Sequence, residues 1–274
     1  TLFPYTTLFR SSVDEAIAGY CNEIKVNFYP QDNSIEIIDN GRGVPVDIHK
    51  ERGISAATIL FTMLHAGGKF HNKDAKSAYK TAGGLHGVGA TVTNALSNYL
   101  EITIRKNGKV YFQRFEKGHP VDILKEIRDM TPDEVHGTSV RISPDPTIFP
   151  EALEEEGGIS LSADYIRDRI KRTTYLTKKL RFVLTDEHGV VKEYYSENGI
   201  SDLVTDQTNE LAESIKLEQE KHGNFDYQPN FFENHIRAEG SDEHSSFDIC
   251  FNYINSYFKP NVLSFTNNIY TELG

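Results

Sequence analysis

A chain of 274 residues can form one large domain or two ordinary ones, and 38% apolar with 25% charged side chains, 20 Gly and 10 Pro exclude a disordered or collagen-like polymer. Its 40 acidic against 29 basic residues leave a formal net charge of −11, which argues against a chain whose main task is neutralising DNA phosphates. Two distant cysteines, Cys21 and Cys250, argue against a disulfide framework or a zinc site and fit a reducing, cytoplasmic setting, and no apolar run approaches the roughly 18–20 residues of a membrane span.

Residues 1–11, TLFPYTTLFRS, lack a periodicity that leads into the next segment and are expected to be a non-native leader. The start at Thr1 and the stop after Thr271-Glu-Leu-Gly274 read as those of a fragment. From Val13 to Ile24, the apolar residues Val13, Ile17, Tyr20, Cys21 and Ile24 fall near one side of a helix, with Asp14 and Glu15 in its first turns. Ile24, Val26 and Phe28 then alternate, a turn follows at Pro30–Asn33, and Ser34–Ile38 supplies a second strand ending at Asp39. A helical patch lies around Ala56–His65, and the polar stretch Gly67–Gly84 reads as a long loop of the kind that forms lids.

A helix is expected over Val88–Leu100, then strands Glu101–Lys106 and Lys109–Phe115 around the Asn107-Gly108 pair, a strong hairpin signal. Further strands are expected at Thr138–Ile142, around Leu180, Phe182 and Leu184, and at Phe247–Tyr253 and Val262–Thr266, with a helix through Leu176 opened by Ser162 and Asp164. The mixture implies an α+β sandwich, and the polar stretch Ser201–Asn230 suggests a boundary near residue 222, dividing 12–222 from 223–274.

Three glycine-bearing segments carry the candidate chemistry. In Asp39-Asn-Gly-Arg-Gly-Val-Pro45 an acid ends a strand and two glycines admit a flat ligand, so the carboxylate can accept from an exocyclic amine such as that of adenine; the string also reads as an ordinary strand ending in a turn. Ala66-Gly-Gly-Lys-Phe70 offers Lys69 either as a phosphate ligand or as a surface lysine. Gly83-Gly-Leu-His-Gly-Val-Gly89 leads into a helix whose N–H groups suit phosphates, and equally suits tight helix packing; its G-x-x-G-x-G order is not the dinucleotide fingerprint, and the chain holds no P-loop string. His86 is better read as part of that loop than as a general base. The basic run Arg167, Arg169, Lys171, Arg172, Lys178, Lys179 and Arg181 reads as a solvated helix face more readily than as a DNA-facing strip.

In their order and spacing, VDEAIAG, DNGRGVP, LHAGGKF, YKTAGGLHGVG, the Asn-Gly hairpin and HGTSVRI together resemble the ATPase domain of type IIA topoisomerases, in the gyrase B branch, with the B protein of topoisomerase IV as the nearest alternative. The resemblance runs from about Ser12 onward, is most specific over 12–142, and resumes at Phe265-Thr-Asn-Asn-Ile269, which is similar to the start of that family's transducer domain. It implies a Bergerat (GHKL) ATPase α/β sandwich followed by the truncated start of a second, ribosomal S5 domain 2-like domain.

By position, the resemblance assigns the adenine amine to Asp39, helped by Thr138, and the base's entry to Gly41 and Gly43. Arg42 and Pro45 would cover the base, with Arg42 pairing with Glu15 beside Asp14; Tyr79 would meet adenine from the lid and Lys80 a phosphate. Gly84, Leu85, His86, Gly87, Val88 and Gly89 would wrap the triphosphate, and Arg105 matches the place where coumarin-type inhibitors bind. The family's catalytic helix reads E-x-x-x-N-S-x-D-E, in which Glu activates water and Asn binds Mg2+; here Thr7 stands at the Glu position and Ser11 at the Asn position. A threonine hydroxyl is a poor base at neutral pH, so this chain is expected to hydrolyse ATP weakly. The resemblance further implies ATP with Mg2+ as ligands, the gyrase A protein and DNA as partners of the full-length protein, an ATP-dependent homodimer, and ATP-driven negative supercoiling by strand passage. A hydrolysis-deficient GHKL interaction module is the competing reading.

Overall fold

The computed structural model describes residues 5–66, 87–149, 162–232, 234–242, 245–253, 261–267 and 269–271. They form two compact units: the first takes residues up to Lys171 together with Leu180–Tyr194, and the second takes Arg172–Lys179 with the residues from Tyr195 onward. Helix α5 (below) thus belongs with the second unit, whereas the polar stretch had suggested a division near 222.

In the first unit the elements run α1 (Tyr5–Ile17), β1 (Glu23–Tyr29), β2 (Ser34–Asp39), α2 (Ala56–Thr62), α3 (Gly89–Ala95), β3 (Ser97–Lys106), β4 (Lys109–Glu116), β5 (His119–Pro120), β6 (Lys125–Asp129) and β7 (Gly137–Pro144). α4 (Asp164–Leu176), whose first half counts with this unit, is followed by β8 (Arg181–Thr185) and β9 (Val191–Tyr194). Among the described residues nine strands make one mixed sheet in the order β5-β4-β3-β7-β2-β1-β8-β9, with β6 also on β4; β1 runs antiparallel to β2 and parallel to β8. The α+β expectation therefore holds, with one parallel pairing inside an otherwise antiparallel sheet.

Period-two alternation places one set of side chains on the covered face: Ile24, Val26 and Phe28, then Ile35 and Ile37, then Leu100, Ile102 and Ile104 are all buried. Helices bring Leu8, Phe9 and Val13 from α1 and Ile166 and Ile170 from α4 into the same core, and the Phe9 and Phe182 rings lie 5.6 Å apart. Asn107 and Gly108 both take positive φ, 54° and 75°, between the paired Lys106 and Lys109; this is the type I′ turn that suits the strand twist.

Three expectations are corrected. The first helix starts earlier and ends earlier than Val13–Ile24: residues 5–11 lie inside α1, with Leu8 and Phe9 buried, so the break expected at Ser12 has no structural counterpart. The helix is stopped by a Schellman motif, in which Gly19 at φ 82° donates its N–H to Ala16 O (2.9 Å) and Tyr20 N donates to Glu15 O (3.1 Å). The helix expected to reach Leu100 ends at Ala95, because Leu100, Ile102 and Ile104 alternate toward the core and draw the preceding residues into β3. The polar stretch after Ser201 holds the 22-residue helix α5 (Ile200–Lys221), whose sparse apolar residues Leu203, Val204, Leu211 and Ile215 keep helical spacing within a largely polar, little-buried segment.

The second unit holds α5, the hairpin β10 (Ile236–Ser241) and β11 (Ser246–Phe251), and the short pair β12 (Ser264–Thr266) and β13 (Ile269–Thr271). Asp202 in the first turn of α5 accepts from Ser196 Oγ (2.7 Å) and Asn198 N (3.0 Å), and Tyr175 OH donates to Asp206 (2.6 Å).

Candidate functional site

Asp39 is the last residue of β2, between Ile24 of β1 and Thr138 of β7 in register. Its position at the end of a strand paired on both sides fixes the backbone and frees the carboxylate for local donors. Ser12 Oγ donates to Oδ2 at 2.9 Å, Gly41 N to Oδ1 at 3.0 Å, and Thr138 N to Oδ1 at 3.4 Å. A carboxylate has about four acceptor directions, so one stays available for an amine. Burial holds the Asp39 carboxyl above the ordinary carboxylate range, against the lowering effect of these three hydrogen bonds.

That shift has a sign for stability. A folded-state value above the unfolded one means that the folded chain holds the proton more tightly, so the contribution of Asp39 is best below the ordinary range and is lost as pH rises through it toward the raised value. Asp39→Asn keeps an acceptor oxygen and removes the titration. The variant's unfolding free energy is expected to gain on that of the parent chain as pH rises through and above the ordinary carboxylate range, read from denaturant midpoints; parallel pH curves would refute it.

The turn after Asp39 is tightly specified. A Cβ on Gly41 would stand 2.5 Å from Glu15 Cγ and 2.9 Å from Asp39 Oδ1, so the position is closed to side chains. Gly43 takes φ 73°, and Val44 N donates to Thr138 Oγ1 at 3.1 Å. Arg42 forms a two-pronged pair with Glu15, Nε to Oε1 at 2.7 Å and Nη2 to Oε2 at 3.0 Å, as the resemblance implied, and its guanidinium lies 3.6 Å from the Tyr20 ring centroid. Pro45 follows on the exposed side and Asp14 is buried in α1.

Thr7, Ser11 and Glu15 recur every four residues along one face of α1, and Thr7 and Ser11 are exposed on it. Thr7 lies directly against Gly89, where any side chain would overlap its methyl group; Gly89 opens α3 after Gly87 (φ 61°) and the N-cap Val88. The fold thus brings the helix face carrying Thr7 to the end of the glycine loop. Lys69, Tyr79, Lys80, Gly84, Leu85 and His86 lie outside the described residues. Arg105 pairs with Glu134 at 3.5 Å, and Arg128 grips the same carboxylate at 2.6 Å and 2.7 Å, holding it down at about 2.

Sequence reasoning passed over four contributors: Ser12, Gly137, His136, whose Nδ1 donates to Gly41 O, and Lys106, whose ammonium meets two carbonyls of the turn. The basic run is largely tied to other groups: Arg167 to Asp164 and Asp186, Lys179 to Glu197 and Arg181 to Glu23 and Glu193, while Arg172 lies over the Tyr270 ring. This is a solvated, self-neutralised set.

The site sets an acceptor-rich carboxylate beside a turn in which Gly41 and Gly43 carry no side chain. For magnesium the fit is poor: Thr7 and Ser11 offer neutral hydroxyls, and no group of three His, Cys, Asp or Glu among the described residues is placed to hold a metal. No helix among the described residues is long and apolar enough to cross a membrane.

Residues 5–148 match the family described as histidine kinase-, DNA gyrase B- and HSP90-like ATPase. The B subunit of DNA gyrase from Thermotoga maritima is 37% identical over 268 residues, covering 96% of this chain and 38% of that protein, and the B subunit of the type 2 topoisomerase from Aquifex aeolicus is 38% identical over 268 residues, covering 97% and 30%. The chain therefore spans about a third of the length of such relatives. Among solved structures, the 43K ATPase domain of Thermus thermophilus gyrase B in complex with an aminocoumarin superposes with a TM-score of 0.75 at 26% identity, covering 97% of this chain and 60% of that one. With the family match extending over more than half of its length, from α1 through β7, the chain belongs to the histidine kinase-, DNA gyrase B- and HSP90-like ATPase family.

Proposed function

We propose that this chain is the ATP-binding region of a DNA gyrase B protein, and that Asp39 is the group that recognises adenine. The observation that carries the reading is the Asp39 carboxylate, fixed by Ser12, Gly41 and Thr138 beside a turn closed to side chains at Gly41. Gly43 and Pro45 border the base, Arg42 is steadied by Glu15, and Gly87, Val88 and Gly89 are the described part of a phosphate loop that takes in Gly84, Leu85 and His86, with Tyr79 and Lys80 from the lid. Magnesium would enter with the triphosphate, since the α1 donors do not form a cage for it. In the cytoplasm the whole protein would act with the gyrase A protein on DNA, dimerising on ATP and driving negative supercoiling. Gyrase is preferred to topoisomerase IV because the Thermotoga maritima relative and others at similar identity carry the gyrase name. Binding of coumarin-type inhibitors near Arg105 is supported by the aminocoumarin complex of the Thermus protein.

Asp39→Ala is expected to weaken binding of an ATP analogue with a β,γ-imido bridge by roughly 10–100-fold, the scale for losing a hydrogen bond to a charged acceptor. Titration calorimetry measures it, and an unchanged affinity would overturn the assignment. A second reading, a nucleotide-binding module with little turnover, is favoured by Thr7 and Ser11 standing exposed where the family places Glu and Asn.

A further inference from the structure

We infer that Lys106 is a positioning residue for the adenine turn: its ammonium fills a seat formed by two successive backbone carbonyls and so holds the turn in its binding shape. The inference rests on the ATP reading above. Lys106 ends β3, and its Nζ donates to Arg42 O at 2.8 Å and to Gly43 O at 2.8 Å. The left-handed φ of Gly43, 73°, turns its peptide so that both carbonyls face the same point. Two carbonyl dipoles aimed together repel, and a cation between them removes that cost.

The turn is then held from opposite directions. On its side-chain side, Arg42 is gripped by Glu15 and covered by the Tyr20 ring, and Arg42 N also donates to Glu15 Oε1 at 3.1 Å. On its carbonyl side, Lys106 is the donor, and the backbone approaches so closely that a Cβ on Gly43 would stand 3.1 Å from Arg105 O. A lysine at a hairpin end ordinarily spends its charge in water; this one is half-buried and spends it on the backbone between Gly41 and Val44. Lys106 therefore acts through the turn and needs no contact with the nucleotide.

Lys106→Met keeps the aliphatic stem and deletes the ammonium. Its affinity for the β,γ-imido analogue is expected to fall about tenfold at an unchanged unfolding temperature, while Lys106→Arg, whose fork can serve both carbonyls, stays within about threefold of the parent chain. In the absence of nucleotide, hydrogen exchange at the Gly41, Arg42, Gly43 and Val44 amides should quicken in the Met variant and stay unchanged in the paired core of β2 and β7. Parent-like affinity and exchange in Lys106→Met would overturn the inference and, with Asp39→Ala weakened, leave the ATP reading standing. A large drop in unfolding temperature with the affinity would reduce Lys106 to a structural role and also overturn it. An unchanged affinity in Asp39→Ala removes both.

Discussion

Replacing Thr7→Glu and Ser11→Asn together is expected to raise ATP turnover by about a hundred- to ten-thousand-fold, the range that a positioned general base contributes. The fold sets this helix face against the start of α3 at the end of the glycine loop. Thr7 and Ser11 are exposed one turn apart on α1, Thr7 rests against Gly89 at the start of α3, and Ser12, on the same turn as Ser11, is already bonded to Asp39. On the proposed ATP reading, the double change supplies a carboxylate base and an amide where the parent chain has hydroxyls, and a threonine hydroxyl cannot take a proton from water near neutrality. Both changes fall on exposed positions of a helix, so they should move stability by no more than about 0.5 kcal/mol. Phosphate release by the parent chain and by the double variant, each with and without Asp39→Ala, decides the matter. Turnover that rises in the double variant and disappears with Asp39→Ala supports an ATPase disarmed at two residues; no rise would mean that α1 does not face the reacting phosphate.

The fold was legible where local chemistry and packing agree. Alternation in β1 and β2 and the Asn107-Gly108 turn state their structure in a few residues, since the pleat and the turn geometry each demand it. Helix ends were less readable. Val13, Ile17, Tyr20, Cys21 and Ile24 keep a helical spacing past Gly19, yet the backbone leaves the helix at that glycine, and Cys21 and Ile24 are buried in other surroundings. α5 escaped notice because its polar residues are solvated and only Ser201 and Ile215 among its described side chains are buried.

The site was legible to the extent that its parts are contiguous in sequence. Asp39, Gly41 and Arg42 occupy one turn, and the pairing of Arg42 with Glu15 follows from family spacing. Contributors that arrive from distant segments leave little trace: Lys106 bonds carbonyls that every residue possesses, and Ser12 is one of many serines until α1 is laid beside β2. Gly137 is the plainest example, because its reason for being glycine lies almost a hundred residues away, at Asp39.

Gly137→Ala is accordingly expected to be among the most damaging single-methyl changes in the chain. Gly137 takes φ 149°, where a side chain is strained, and a Cβ there would overlap the Asp39 carbonyl oxygen and stand 3.0 Å from Asn40 Cα. Both neighbours are backbone, so no rotamer change relieves the clash; either β7 or the end of β2 has to move. The expected cost is about 3 kcal/mol or more, which for a domain of this size lowers the unfolding temperature by roughly 6–12 °C. Gly53→Ala separates the two causes: Gly53 also has positive φ, 66°, but nothing stands within 4 Å of its Cβ position, so only backbone strain of about 1 kcal/mol is expected there. Nucleotide affinity should fall in Gly137→Ala and persist in Gly53→Ala, because displacing β7 withdraws Thr138 N from Asp39 and Thr138 Oγ1 from Val44 N. Equal thermal shifts in the two variants would show that β2 and β7 can part at no cost, and that the close approach at Gly137 does not hold Asp39 in place.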